Sequence, residues 1–159
     1  MFKFLVVLLL LCSPYPAWAC SCGPVGIYRG HKHAAIVFTG TLVAAKASFF
    51  NDTLGLHQGK YVVKNQRIVR FTFKIQRLYK GTITADTISL STSAGGADCG
   101  NNFTLSKRYL IYSWFTDALP NDFRKEYRKV TPYLTTHLCS RTKPDRFLNF
   151  YEKAVLSLL

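Results

Sequence analysis

Residues 67–76 alternate between two faces, with Val69, Phe71, Phe73 and Ile75 on one and Arg70, Thr72 and Lys74 on the other. A period of two among β-branched and aromatic residues predicts a strand buried on one side. Residues 36–45 are β-branched and apolar around Gly40, and a glycine inside a strand marks a bulge or a bend. Residues 84–91 and 108–115 supply a third and a fourth strand. A fifth, at 133–138, follows a charged insertion at 121–129 that reads as a solvated loop or short helix. Pro144-Asp145 then opens a segment in which Phe147, Leu148, Tyr151, Val155 and Leu158 share a helical face, with Asn149 and Lys153 turned outward. A short helix is also predicted within 28–35, limited by Gly26 and Gly30. Five short strands without alternating strand and helix units predict a mainly β fold. The expected form is a five-stranded, partly open barrel of the oligonucleotide/oligosaccharide-binding (OB) type, with the C-terminal helix packed outside it. A β-sandwich fragment is the alternative.

Residues 1–19 stand apart from this domain. Lys3 provides a basic start, residues 4–11 run unbroken and apolar, and Ala17-Trp18-Ala19 is the small-x-small pattern that signal peptidase reads. They are expected to be a secretory signal cut before Cys20, leaving 20–159 as one domain in an extracellular or periplasmic space. The apolar run is shorter than the roughly 20 residues that span a bilayer. Acylation of Cys20 as a lipid anchor would use the same bond. Against it, Ala17 stands where a bacterial lipobox usually carries Leu.

Composition adds two constraints. A chain with 48% hydrophobic and 18% charged residues builds a packed core rather than a disordered coil, and 21 Lys and Arg against 8 Asp and Glu admit acidic partners. Beyond the signal remain Cys20, Cys22, Cys99 and Cys139. An even number in an oxidising compartment predicts two disulfides, with three pairings conceivable. Cys20 and Cys22, one residue apart, suit distant partners better than each other.

A chain cut before Cys20 begins Cys20-Ser21-Cys22-Gly23-Pro24. This start resembles the N-terminal, netrin-like domain of the tissue inhibitors of metalloproteinases, whose mature chains begin Cys-x-Cys with a Pro two residues further on. The resemblance continues through Ile36-Val37-Phe38-Thr39-Gly40-Thr41-Leu42-Val43 and Phe71-Thr72-Phe73-Lys74-Ile75 to the turn Leu78-Tyr79-Lys80-Gly81. It extends to the stretch from Ser93 to Cys99-Gly100, to Arg108-Tyr109-Leu110-Ile111-Tyr112 and to Leu138-Cys139-Ser140, nearly the whole of 20–159. The animal inhibitors carry a third disulfide in this domain and a second cysteine-rich domain. This chain has neither, and resembles the shorter inhibitor-like proteins of bacteria.

The resemblance implies a netrin-like barrel with Cys20 bonded to Cys99 and Cys22 to Cys139. It also implies inhibition of a zinc metalloendopeptidase, whose catalytic zinc keeps one position open for water. The α-amino nitrogen and carbonyl oxygen of Cys20 would chelate that zinc. Ser21 would enter the specificity pocket below the metal, and Cys22, Gly23 and Pro24, with Gly96, Ala97 and Asp98, would flank the cleft. The only metal contact expected is this backbone chelation by Cys20.

Other chemistries find less support in the residues. Ala94-Gly95-Gly96-Ala97 lacks the Lys-Ser/Thr of a phosphate cradle and reads as a turn. Neither G-x-S-x-G nor H-E-x-x-H occurs, so no enzyme activity and no cofactor are expected. A four-cysteine zinc site does not suit C-x-C spacing in an oxidising compartment, and His31 and His33, flanking Lys32, read as a solvated patch rather than metal ligands. The second function class is a secreted binding module for an anionic glycan, lipid headgroup or nucleic acid. Its candidate residues are Lys64, Arg67, Arg70, Lys74, Arg77 and Lys80, and Arg124, Lys125, Arg128 and Lys129 of the insertion. A monomer is expected for either class.

Overall fold

The structure is a computed structural model that describes residues 22–57, 60–94, 99–117 and 131–159, with only the backbone described over 49–57 and 60–66. A short helix, α1 (Ile27–His33), precedes strands β1 (Ile36–His57), β2 (Lys60–Lys80), β3 (Thr87–Ser93), β4 (Arg108–Thr116) and β5 (Tyr133–Thr135). After a 3-10 turn at Leu138–Ser140 come the two-residue β6 (Lys143–Pro144), a second 3-10 turn at Asp145–Phe147 and the helix α2 (Phe150–Leu158). The strands run in the order β1-β2-β3-β5-β4, and antiparallel pairing of β1 with β4 closes them into a ring of five, with β6 added beside β4. The mainly β architecture, the five strands and the C-terminal helix expected from the pattern are all present.

Gly40 stands at a bulge in β1. The β1–β2 register shifts between Thr39 and Gly40, and a Cβ at Gly40 would stand 2.8 Å from the Phe38 ring and 3.1 Å from the Lys74 carbonyl oxygen. Only glycine lets the two backbones approach so closely there.

Strand lengths depart from the sequence pattern. β1 and β2 run to 22 and 21 residues, well past the expected 36–45 and 67–76. Among the described residues β4 pairs with β1 over Ile36–Thr41 and β3 with β2 over Ile68–Lys74, and beyond these β1 and β2 pair with each other alone. The alternation in the sequence marks the part of β2, Val69 to Ile75, that packs on the inner core. β3 starts at Thr87 rather than 84, and β5 ends at Thr135 because Thr136 turns its hydroxyl back to the Tyr112 carbonyl at 2.8 Å.

Two apolar layers form. Inside the ring, Phe38, Leu42, Phe71, Phe73, Leu90 and Ile111 are buried, with Val69 and Ile75 packed against them as the period of two requires. Phe103 closes this layer, edge-to-face with Phe71, Phe73 and Tyr109. Outside the ring, Val37, Leu110 and Tyr112 meet Ala34, Leu148 and Leu156. β4 is therefore covered on both sides, which explains the unbroken run Tyr109-Leu110-Ile111-Tyr112.

The face of the C-terminal helix requires a correction. Phe147, Tyr151 and Leu158, expected inside, are exposed, and the buried positions are Leu148, Glu152 and Leu156. The Asn149 side-chain carbonyl accepts the Glu152 N–H at 2.8 Å and starts the helix at Phe150, which turns Glu152 toward the ring. Arg141 and Lys143 pair with its carboxylate there. Among the described residues no helix is long and apolar enough to cross a membrane.

Candidate functional site

The segment that leads into α1 lies on the outside of the ring. Cys22, Gly23 and Pro24 are exposed, and Cys22 is bonded to Cys139 with their Cα atoms 5.2 Å apart. Three residues on, the Val25 carbonyl accepts from Arg141 Nη1 at 2.5 Å. Residues 139–141 thus hold 22–25 at both ends. Gly30 brings α1 close, since a Cβ there would meet the Tyr112 ring at 3.3 Å and Arg141 Cδ at 3.4 Å.

The turn that carries Cys139 is itself fixed from below. Thr136 Oγ1 lies 2.7 Å from Ser140 Oγ and 2.9 Å from Thr142 Oγ1, in a buried hydroxyl cluster that also reaches the Tyr112 carbonyl. His137 caps the turn: its Nδ1 accepts the Cys139 N–H at 3.0 Å, and its ring stands 4.7 Å from that of Trp114. An accepting Nδ1 requires the neutral imidazole, and burial holds the His137 pKa below its usual value. The Leu138 N–H bonds to the Cys99 carbonyl at 2.9 Å, which sets the Cys99 loop beside the Cys139 turn. Between 22–24, α1 and this turn opens a groove of about 600 Å³ walled by Tyr112, Trp114, His33 and His137.

Charge is concentrated behind the segment. Glu152 is 2% exposed; one carboxylate oxygen accepts from Arg141 Nε at 2.9 Å and the other from Lys143 Nζ. Two cations on one buried carboxylate compensate its desolvation. The Tyr112 hydroxyl is also buried here without a well-formed hydrogen bond. Burial first, and the Glu152 charge second, push its pKa up to about 12.

A larger cleft, of about 980 Å³, lies between the Gly100–Tyr109 stretch and Thr142–Arg146. Lys107, Arg108, Lys143 and Arg146 line it, with Asp145 as the single acid among the described residues. Arg108 is occupied by Asp145, with Nε 2.6 Å from Oδ2, and Lys143 by Glu152. Lys107 is exposed, and the Arg146 guanidinium lies over the Phe147 ring at 4.7 Å.

Of the residues expected at an inhibitory edge, Cys22, Gly23 and Pro24 are together on the surface, whereas Cys20, Ser21, Gly96, Ala97 and Asp98 lie outside the described residues. The Cys22–Cys139 pairing is present. Cys99 is also a half-cystine, and the Cys20 end of the expected Cys20–Cys99 bond lies outside the described residues. Of the basic candidates, Arg67, Arg70, Lys74 and Arg77 are exposed, while Lys80 donates to the His31 carbonyl at 2.6 Å. The Lys64 side chain and Arg124, Lys125, Arg128 and Lys129 lie outside the described residues. Burial, then the Lys80 charge, lower the His31 pKa, and His33 is exposed. Among the described residues no three His, Cys, Asp or Glu side chains gather as a metal site.

Sequence reasoning missed Arg141 and Glu152. One signal was available, because Asn149-x-x-Glu152 has the spacing of a helix cap with an acid in the first turn. Nothing local marks Arg141, whose partners lie 116 residues before it and 11 after. No protein-family model and no curated protein matches the chain.

Proposed function

We propose that the chain is a secreted inhibitor of zinc metalloendopeptidases that acts through a mature N-terminus at Cys20. The observation that carries this reading is the exposed Cys22-Gly23-Pro24 segment, stapled by Cys22–Cys139 to a closed ring of strands and held again at Val25. A segment ordered in advance loses little conformational entropy when it docks in a protease cleft. The resemblance to the tissue inhibitors supplies the chemistry. A Cys20 α-amine and carbonyl would displace the water on the target's zinc as a five-membered chelate, and the amine must be unprotonated to do so. Ser21 would fill the pocket below the metal, and Gly96, Ala97 and Asp98 would flank the cleft from the Cys99 side.

The test compares oxidised protein beginning at Cys20 with the same protein carrying one added N-terminal Ala, against a panel of zinc endopeptidases. Inhibition by the first and not the second is expected. Equal inhibition by both would remove the chelating amine from the mechanism, and inhibition by neither would overturn the reading.

The cleft beside Lys107 and Arg146 favours a second reading, a binding module for an anionic ligand. Four cationic residues face one acid there, and neither Lys107 nor Arg146 is committed to a carboxylate among the described residues. Binding of heparin oligosaccharide that weakens steeply with salt, and is lost in Lys107→Ala/Arg146→Ala, is the expected result for this reading. Salt-insensitive binding, or binding unchanged in the double variant, would place the ligand elsewhere.

A further inference from the structure

Residues 22–25 are held twice by one short stretch of chain, by the Cys22–Cys139 bond and by the hydrogen bond from Arg141 to the Val25 carbonyl. A single disulfide leaves the peptide units on either side of it free to rotate. The second attachment removes that freedom and fixes the direction in which Gly23-Pro24 leaves the surface. Arg141 closes the 3-10 turn with its backbone in the left-handed region at φ 68°. The guanidinium does not stand alone. Its Nε donates to Glu152, a residue of α2, and the second oxygen of that carboxylate is taken by Lys143. Arg141 therefore links helix α2 to the N-terminal segment, beside the apolar packing of Ile27 and Ala34 with Leu156.

We propose that Arg141 is a positioning residue for the N-terminal segment, and that α2, through Glu152, preorganises that segment for docking; the docking part rests on the inhibitory reading above. The geometry makes two specific demands. One head group must serve two acceptors at once, the Val25 carbonyl and the Glu152 carboxylate, which the forked guanidinium does and a single ammonium does not. Residue 152 must also be a carboxylate, because it accepts from Arg141 through one oxygen and from Lys143 through the other, whereas an amide has one acceptor oxygen for the two cations and turns an NH2 donor toward one of them. Arg141→Lys preserves the charge and Glu152→Gln preserves the shape, yet each breaks the relay.

The test reads backbone order at residues 22–26 by amide relaxation in the free, oxidised protein and, in parallel, the dissociation rate from an inhibited zinc endopeptidase. In the parent protein the order parameters should be near the rigid value of about 0.85; in Arg141→Lys and Glu152→Gln they should fall toward roughly 0.6. Dissociation should quicken about tenfold with the association rate nearly unchanged. Leu90→Val, a cavity inside the ring remote from the segment, serves as the control for lost stability; Leu90 is 1% exposed. Order unchanged in the two variants, or lowered equally by Leu90→Val, would overturn the proposal, as would lost order with unchanged dissociation. If the parent protein inhibits no protease, the inhibitory reading fails, and the relaxation data alone decide whether Arg141 holds the segment.

Discussion

Cys22 and Cys139 are joined across a sequence separation of 117, so one covalent bond ties the first described residue to the turn that follows β5. Closing so long a loop restricts the unfolded chain by about 4 to 5 kcal/mol in the chain-entropy account. The double variant Cys22→Ser/Cys139→Ser should therefore unfold at a clearly lower denaturant concentration. Equilibrium unfolding followed by far-UV dichroism checks this. An unchanged midpoint would mean that the bond adds no stability to the folded ring.

Gly40→Ala should destabilise the fold by about 1 to 3 kcal/mol, the usual cost of overpacking. The added methyl would press on the Phe38 ring and on the Lys74 carbonyl, and the carbonyl belongs to the facing strand and cannot swing away. Thermal unfolding measures the loss. Gly23→Ala, where nothing lies within 4 Å, should leave stability nearly unchanged.

Tyr112 and Tyr133 should ionise late. Burial is the leading cause of both rises, and both pKa values lie at about 12 against 10 in the unfolded chain. The folded state binds more protons in that interval, so the contribution to stability is complete below pH 10 and is lost as the pH rises through 12. Absorbance titration at alkaline pH should show two tyrosines ionising after the rest. Tyr112→Phe should remove one of them and flatten the alkaline fall in stability.

The histidines act in the opposite direction. Burial lowers the pKa of His137 and of His31, so between those values and 6.5 the unfolded state binds more protons. Their contribution is present above pH 6.5 and is lost as the pH falls through the folded values. Imidazole proton shifts should show His137 still neutral at a pH where an exposed histidine is already charged. A midpoint at or above 6.5 would contradict the acceptor role of its Nδ1 toward Cys139.

Inhibition through the amine carries its own pH signature. An α-amino group loses its proton near pH 7.7 to 8.0, roughly, so affinity for a zinc endopeptidase should strengthen from pH 6 to 8 after correction for the protease. Protein acetylated at Cys20 should show no such rise and no inhibition.

Local pattern sufficed where burial repeats with a simple period. The alternation Val69, Phe71, Phe73, Ile75 was legible because one face of β2 lies against the inner core, and Gly40 was legible as a bulge because a glycine among β-branched residues has few other uses. The C-terminal helix was legible as a helix, but its orientation was not. Its inward face includes an acid, and the pairing of Arg141 and Lys143 with Glu152 offsets the cost of burying that charge.

The amino-acid sequence by itself determined the mainly β class, the approximate positions of five strands and a terminal helix, and a set of cysteines suited to two long-range bonds. Each of these depends on residue type and spacing within a few positions. Tertiary structure decided that β1 meets β4 to close the ring and that one arginine joins the N-terminal segment to the last helix, and it joins Cys22 to Cys139 as the family resemblance implied. Those are meetings of residues far apart in the chain, selected by the shared burial of two apolar layers and by the need to neutralise a buried carboxylate, and neither condition is written in any local stretch of residues.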